Sequence, residues 1–421
     1  MSIPGPHDIK RHELPNGITV LVREHHASPS VVLRGSLRVG AYDEPAERTG
    51  LAAFTSDALM RGTDNRSFDQ IYEELESVGA SLGISAATHN TGFGAKSLVE
   101  DLSLLLSILS DALRNPTFPV DEVEKLRGEI LSDLDDRVHN TRRMANLAFH
   151  ELAYPEEHPY SRAVSGYPET VRSITRDDLV AFHEEGYGPE GAILVIVGAV
   201  DTDEALEQVE EALGDWEGSV FERQPLPDVP QLDGIREKEI PIPGKTQSDI
   251  VLGVPGPARS EPDFLPAMVA NCILGLFGMM GRLGESVREE QGLAYYSYSR
   301  LEGGLGPGPW RVIAGVAPDA VDQAIESIKA EIRRLCEEPI PEEELRDNQT
   351  FITGSLPLRL ETNEGVARTL LSMERHNLGL DYLQRYKDVI ESFTVDEVQA
   401  AAQHWLDDNA YAVGISGPPE E

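Results

Sequence analysis

Chemistry on a polypeptide needs donor groups at usable spacing, and this chain offers only a few such groupings. In the stretch GLAAFTSDALMRGT, residues 50–63, Ser56 and Asp57 stand together and Ala53 lies one turn before Asp57. Leu51, Phe54, Ala58 and Leu59 recur at helical spacing and Gly62 supplies a stop, so the stretch reads as a helix. It is framed like a catalytic helix, yet its polar face carries only a hydroxyl and a carboxyl. His25 and His26 are adjacent at a strand end or turn, where neighbouring side chains point to opposite faces. His150 with Glu151 lacks a third partner at ligand spacing, and His183 with Glu184 sits on a helix before a buried strand. A solvated or hydrogen-bonded imidazole is the expectation at each. Cys272 and Cys336 are too few for a disulfide framework or a thiolate zinc site and read as buried thiols.

The elements that must position these groups are legible along the chain. Asn16-Gly17 is a two-residue turn signal before the β-branched run from Ile18 to Val22. SVVLRGSLRVGAYDEP alternates with period two as a second strand, and a helix over Phe68 to Val78 leads into two short strands. LVEDLSLLLSILSDALRNP is an amphipathic helix stopped by Asn115-Pro116. VDEVEKLRGEILSDLDDRV and TRDDLVAFHEEGY are two more helices, and GAILVIVGAV is a buried strand. The loop LGLFGMMGRLG (274–284) is not a phosphate loop, because no G-K-[ST] follows it, and EGGLGPGPWRV (302–312) reads as a hairpin loop with Trp310 opening the next strand.

The pattern repeats. SITRDDLVAFHEEGYGPEGAILVIVGAV from Ser173 parallels SFTVDEVQAAAQHWLDDNAYAVGISGP from Ser392, an offset of 392 − 173 = 219. FPVDEVEKLRGEILSDL from Phe118 parallels IPEEELRDNQTFITGSL from Ile340, an offset of 340 − 118 = 222. A duplicated α+β unit follows. The expected fold is two homologous domains, residues 1–214 and 235–421, joined by the Pro-rich acidic linker 215–234. Each would be a mixed, mainly antiparallel sheet with helices packed on one face.

Composition sets bounds. The 421 residues carry 73 acidic and 36 basic side chains, a net charge of −37 scattered over the whole length. This predicts a solvated, self-repelling surface and excludes the basic footprint of a nucleic-acid binder. An acidic inner wall attracting basic peptides is a second reading that composition does not localise. No apolar run reaches the roughly 18 residues needed to span a bilayer, so no membrane partner is expected. The N-terminus MSIPGPHDIKRHELPNG has no apolar signal core, and a cytoplasmic location is expected.

The ordered set LPNGITVLV, RVGAYDEPAERTGLAAF, LMRGT, HPYSRAVSG and GRLGESVREEQGLAYYSYS resembles the pitrilysin/insulinase family of inverted zinc peptidases. The likeness is to the two-domain branch, which includes the mitochondrial processing peptidases and the complex III core subunits, and it covers nearly the whole chain. In active members the helix at 50–63 carries H-x-x-E-H, two zinc-binding histidines around the glutamate that activates the metal-bound water. The resemblance places the histidines on Ala53 and Asp57, the glutamate on Ser56 and the third ligand on Asp133 (57 + 76 = 133), with a supporting glutamate on Leu126. Ala53 has no donor, Ser56 is too weak a base, and two aspartates without imidazole would hold at most a hard cation weakly. No catalytic residue and no metal ligand are therefore expected in this chain.

A second constellation of the family is intact. An arginine and a tyrosine seven residues apart bind the substrate at the cleavage site, and VREEQGLAY supplies Arg288 and Tyr295. Guanidinium and phenol donors can hold a peptide carbonyl and a developing oxyanion. The competing reading has Arg288 pairing with an acid and Tyr295 filling a core, while Tyr296 and Tyr298 read as sheet residues. The resemblance also matches 274–284 to the family's glycine-rich, presequence-touching segment. It implies a non-catalytic, substrate-binding subunit of a heterodimeric peptidase, whose homologous partner carries the zinc. The alternatives are a structural or peptide-binding scaffold and a metalloendopeptidase with an atypical Asp57/Asp133 site.

Overall fold

The computed structural model describes residues 3–276 and 281–419, so residues 277–280 of the glycine-bearing loop lie outside the described residues. Two compact units emerge. One gathers Met1–Leu134, Ala163–Gln224 and Pro357–Arg385; the other gathers Asp135–Arg162, Pro225–Leu356 and Tyr386–Glu421.

The first unit is built on six strands: β1 Lys10–Glu13, β2 Thr19–Glu24, β3 Ser30–Leu37, β4 Ser81–Ala86, β5 Thr91–Leu98 and β6 Ile193–Gly198. They lie in the order β1-β2-β6-β3-β5-β4, antiparallel except for the β2–β6 pair. Asn16-Gly17 turns β1 into β2, and the helix Leu102–Arg114 ends at Asn115, as the residues foretold. The second unit has β7 Arg236–Pro241, β8 Ser248–Pro255, β9 Ala294–Leu301, β10 Pro309–Val316 and β11 Ala412–Gly417, in the order β7-β11-β8-β10-β9. Its one parallel pair is β7–β11, the counterpart of β2–β6. With β1 set aside, the two orders are the same, which is the duplication that the sequence offsets announced. Residues 302–308 form the hairpin loop between β9 and β10, and Trp310 lies in β10.

The units differ from contiguous halves 1–214 and 235–421 by two segments, and the reason is burial. Strands β8, β10 and β11 are buried at every position, and successive strand residues face opposite sides, so both faces of the sheet are covered. Besides helices from its own half, the second unit therefore includes the helix Thr141–Ala153, which packs on β11, β8 and β7. The first unit includes the helix Asn363–Arg375, packed on β6 and β3. These helices start 363 − 141 = 222 residues apart, within the range of the repeat offsets. They are equivalent elements, each seated on the sheet encoded by the opposite half of the sequence.

Polar contacts fix both. Asn363 Oδ1 accepts from His25 Nδ1 at 2.7 Å, Glu364 pairs with Arg34, and Glu374 pairs with Arg11 at 2.9 Å. In the second unit Arg236 donates to the Leu152 carbonyl at 3.1 Å and Lys238 pairs with Glu151 at 2.5 Å. The helix Thr141–Ala153 buries small residues, Ala145, Ala148 and Ala153, around Phe149, and so approaches β11 closely. A Cβ on Gly414 would lie 2.1 Å from the Ala145 carbonyl oxygen and 2.7 Å from the Phe149 nitrogen, both rigid backbone.

Gly414→Val should therefore lower the stability of the chain by about 2 kcal/mol or more, through the overpacking cost of typically 1–3 kcal/mol. Gly128→Ala, at an exposed position of the helix Val120–Val138 with nothing within 4 Å, should instead raise it by up to about 1 kcal/mol. Urea melts of the two variants check the contrast, and equal midpoints would contradict the close seating.

Candidate functional site

The residues 50–63 form a helix, Leu51–Ala58, followed by a tight turn, Leu59–Arg61. Buried Glu44 accepts from the backbone N–H of Gly50 at 3.0 Å and of Ala52 at 2.8 Å, satisfying two orphan donors at the positive end of the helix. At the other end Arg61 pairs with Glu129 and lies 3.8 Å from Glu122, both on the helix Val120–Val138. Arg127 of that helix stacks 5.1 Å over the Phe54 ring and donates to the carbonyls of Val171 and Ile174. The frame of a two-helix site is thus firmly built.

Its chemical positions have been turned to other uses. Ser56 is fully buried; its hydroxyl donates to the Ala53 carbonyl at 2.8 Å and accepts from the Ala86 N–H at 2.9 Å. It ties the helix to edge strand β4, and its proton is already committed to the Ala53 carbonyl. Leu126 is 5% exposed and belongs to the apolar core of the unit. Ala53 contributes no donor. Zinc does not fit this set, and among the described residues no three His, Cys, Asp or Glu side chains gather as a metal site. Asp57 is exposed, yet desolvation by the surrounding protein raises its carboxyl to about 6, against a pull from Arg61 and a push from Glu129. Asp133 is exposed on the helix Val120–Val138 of the same unit.

The histidine groupings are structural. His150 Nδ1 donates to the Tyr160 carbonyl at 2.9 Å while Nε2 accepts from Arg311 at 3.1 Å. Burial and that guanidinium push its pKa down to about 4, so the ring is neutral. His183 Nε2 donates to the Leu113 carbonyl at 2.8 Å, His25 meets Asn363, and His26 lies 3.4 Å from Glu24. Both cysteines are unpaired, and burial raises each thiol to about 12, which keeps it protonated and inert.

Arg288 and Tyr295 lie in the second unit, each at an irregularity. Arg288 belongs to a single π-helical segment, Gly284–Glu290, with its guanidinium 3.8 Å from Glu289. Tyr295 lies on β9, the edge of its sheet. There Gly315 opposes Tyr296 and Val316 opposes Ala294, so Tyr295 is the unpaired residue of a β-bulge. The bulge turns it out of the ladder, and it is 83% exposed. Tyr295 fills no core.

One neighbouring network escaped the sequence reading. Tyr296 is a sheet residue, but its hydroxyl donates to Asp249 and accepts from Arg142 Nε at 2.9 Å, with that guanidinium 4.1 Å from the ring centre. Gly315 makes room: a Cβ there would lie 2.5 Å from the Tyr296 ring. Alternation in AYYSYS places Tyr296 on a strand, but it gives no sign of partners 47 and 154 residues away.

Two outcomes test the converted site. A carboxyl raised in the folded state binds its proton more tightly there, so Asp57 favours folding at pH below its ordinary 3.8, and that contribution is lost as pH rises through about 6. Asp57→Asn should remove this slope from the melting-temperature profile between those values, and NMR of the wild-type carboxyl should show a midpoint near 6. Separately, the quadruple change Ala53→His, Ser56→Glu, Asp57→His and Asp133→Glu should yield zinc on elemental analysis but peptidase activity roughly 10- to 100-fold below an intact homologue. Leu126 leaves the outer support absent, and Ser56→Glu removes the hydrogen bond to Ala86, at a cost of about 1 kcal/mol. Activity equal to that of the homologue would refute this.

Comparison with known proteins accords with this geometry. The profile described as insulinase (peptidase family M16) matches residues 19–165, and the one described as peptidase M16 inactive domain matches residues 173–350. An uncharacterized zinc protease of Mycobacterium leprae is 28% identical over 97% of this chain and 91% of its own length. An uncharacterized zinc protease of Bacillus subtilis is 26% identical over 86% of this chain and 87% of its own. The solved structure of a peptidase M16 inactive domain from Pseudomonas fluorescens superposes with a TM-score of 0.90 at 24% identity, covering 98% of both chains. A Helicobacter pylori protease gives 0.88 at 19% identity, covering 99% of this chain and 100% of that one. With two M16 profiles matching residues 19–165 and 173–350, together more than half of its length, the chain belongs to the insulinase, or M16, peptidase family.

Proposed function

We propose that the chain is the non-catalytic, substrate-binding subunit of a two-chain zinc peptidase. A homologous partner supplies the H-x-x-E-H helix and its zinc, and this chain offers Arg288 and Tyr295 to the peptide. The observation that carries the reading is an asymmetry: Ser56 and Leu126 are built into the packing of the first unit, whereas Tyr295 is bulged out to solvent on an edge strand. An extended peptide can add to such an edge through main-chain hydrogen bonds. A phenol and a guanidinium beside it can then hold the peptide carbonyl and the charge that develops on its oxygen. Two unpaired thiols suit a reducing, cytoplasmic setting, and among the described residues no helix is long and apolar enough to cross a membrane.

The absence of a zinc-binding set at Ala53, Asp57 and Asp133 also suits a second reading, a scaffold that binds peptides or partners without proteolysis. Co-expression with a homologue bearing H-x-x-E-H separates the two. The proposal expects a stable complex that cleaves unfolded peptides, with zinc only in the partner. A complex without peptidase activity favours the scaffold, and stoichiometric zinc in this chain alone would support an Asp57/Asp133 metal site instead.

Within the active complex, Tyr295→Phe should lower peptide cleavage on the order of 10²-fold, about 3 kcal/mol, as loss of one oxyanion donor typically does. Arg288→Ala should cost more, and Arg288→Lys should rescue only partly, because a point charge cannot reproduce the planar fork. Melting temperatures should stay near wild type, since Tyr295 is exposed. Unaltered turnover in both variants would overturn the assignment.

A further inference from the structure

One cavity in this strongly acidic protein has three cations and a single carboxylate among its lining residues. It encloses about 380 Å³ in the second unit, between the turn 139–143 and the loop that joins β7 to β8. Arg142, Arg143 and Lys245 line it, and Asp249 is the one carboxylate among its walls. Asp249 is 2% exposed and its oxygens are engaged: Thr141 Oγ1 donates at 2.5 Å, Gln247 Nε2 at 3.3 Å, and the Tyr296 hydroxyl also donates to it. The floor of the cavity is therefore an internal anchor that holds Tyr296 and Arg142 in place. Arg142 Nε is committed to Tyr296, and its guanidinium lies 3.7 Å from Asp249. Lys245 has no ion-pair partner among the described residues. In a chain of 73 acidic and 36 basic side chains, a cationic lining runs against composition.

The place of the cavity says what it meets. Tyr296 is both a wall of the cavity and the strand neighbour of Tyr295. The bulge that releases Tyr295 from the ladder leaves Tyr296 paired with Gly315 and fixed over the cavity by Asp249 and Arg142. A peptide lying along β9 presents alternate side chains to its surroundings. We infer that the cavity receives a carboxylate of the bound peptide, either an Asp or Glu side chain or the C-terminal carboxylate, with Lys245 and Arg142 as its specificity-determining contacts. This rests on the reading of β9 as a peptide-binding edge. A guanidinium and an ammonium at one carboxylate make charge-assisted hydrogen bonds, worth enough to set a preference of about tenfold or more.

The experiment uses the full chain and fluorescence anisotropy with fluorescein-labelled ten-residue peptides. One carries a single Glu with a free C-terminus. The others replace Glu by Gln, the C-terminal carboxylate by an amide, or both. The peptide retaining the productive carboxylate should bind about tenfold or more tightly than its neutral counterpart at low ionic strength, and the gap should narrow with added salt. The Glu-to-Gln and amide arms tell a side-chain carboxylate from a terminal one. Lys245→Gln should abolish the preference while leaving the affinity of the doubly neutral peptide unchanged, whereas Arg288→Ala should weaken all four peptides. Equal binding of all four by the wild type, or a preference that survives both Lys245→Gln and Arg142→Gln, would overturn the inference while leaving the peptide-binding reading intact. Binding of none would overturn that reading and the inference with it.

Discussion

A sheet that is apolar on both faces must be covered twice, and everything else in this protein follows from how that is done. In the second unit the covering helix lies so close to β11 that only glycine fits at position 414 between the strand and the Ala145 and Phe149 backbone. The small residues of the helix permit the approach, and burial of Phe149 alone is worth about 1.5–3 kcal/mol. The same contact fixes the first turn of the helix, from which Thr141 and Arg142 reach Asp249 and Tyr296. Tyr296 is thereby set on β9, and with it the register that leaves Tyr295 unpaired. Packing on one face of the sheet thus governs what its edge offers to solvent.

The degenerate site of the first unit shows where a lost chemistry goes. The helix Leu51–Ala58 keeps its cap from Glu44, its ties through Arg61 and its stacking partner Arg127. Its interior is plain packing: the Ser56 hydroxyl satisfies the Ala86 N–H, and Leu126 joins the core. Neither side chain is ionisable, so neither bears the desolvation cost of a buried charge. Asp57, with its raised proton affinity, is the one position where that cost persists.

Much of this was legible in the residues because it is local or periodic. The Asn16-Gly17 turn, the helix stop at Asn115-Pro116, the buried strand before Gly198 and the offsets near 220 all announce themselves within a short window, and the shared strand order follows from the duplication. Three features were not legible. A continuous apolar run says that a strand is buried on both faces, but not which helix covers it, so the seating of Thr141–Ala153 and Asn363–Arg375 is invisible to a linear reading. A bulge arises from the pairing of β9 with β10, and AYYSYS reads as a regular strand. The cationic cavity draws on the turn 139–143, the β7–β8 loop and β9, segments that no spacing rule connects.

The borrowed helix also has a consequence in time. Strand β6 ends at Gly198, but the helix that seals its sheet begins at Asn363, 363 − 198 = 165 residues later. At translation rates of about 5–20 residues per second, the nascent first sheet waits roughly 8 to 33 s with an apolar face bare. The helix that covers this face in the folded chain is not made until then. A chain in that state invites self-association through its open face, and the dense negative charge that accompanies it is well suited to hold such intermediates apart on the ribosome.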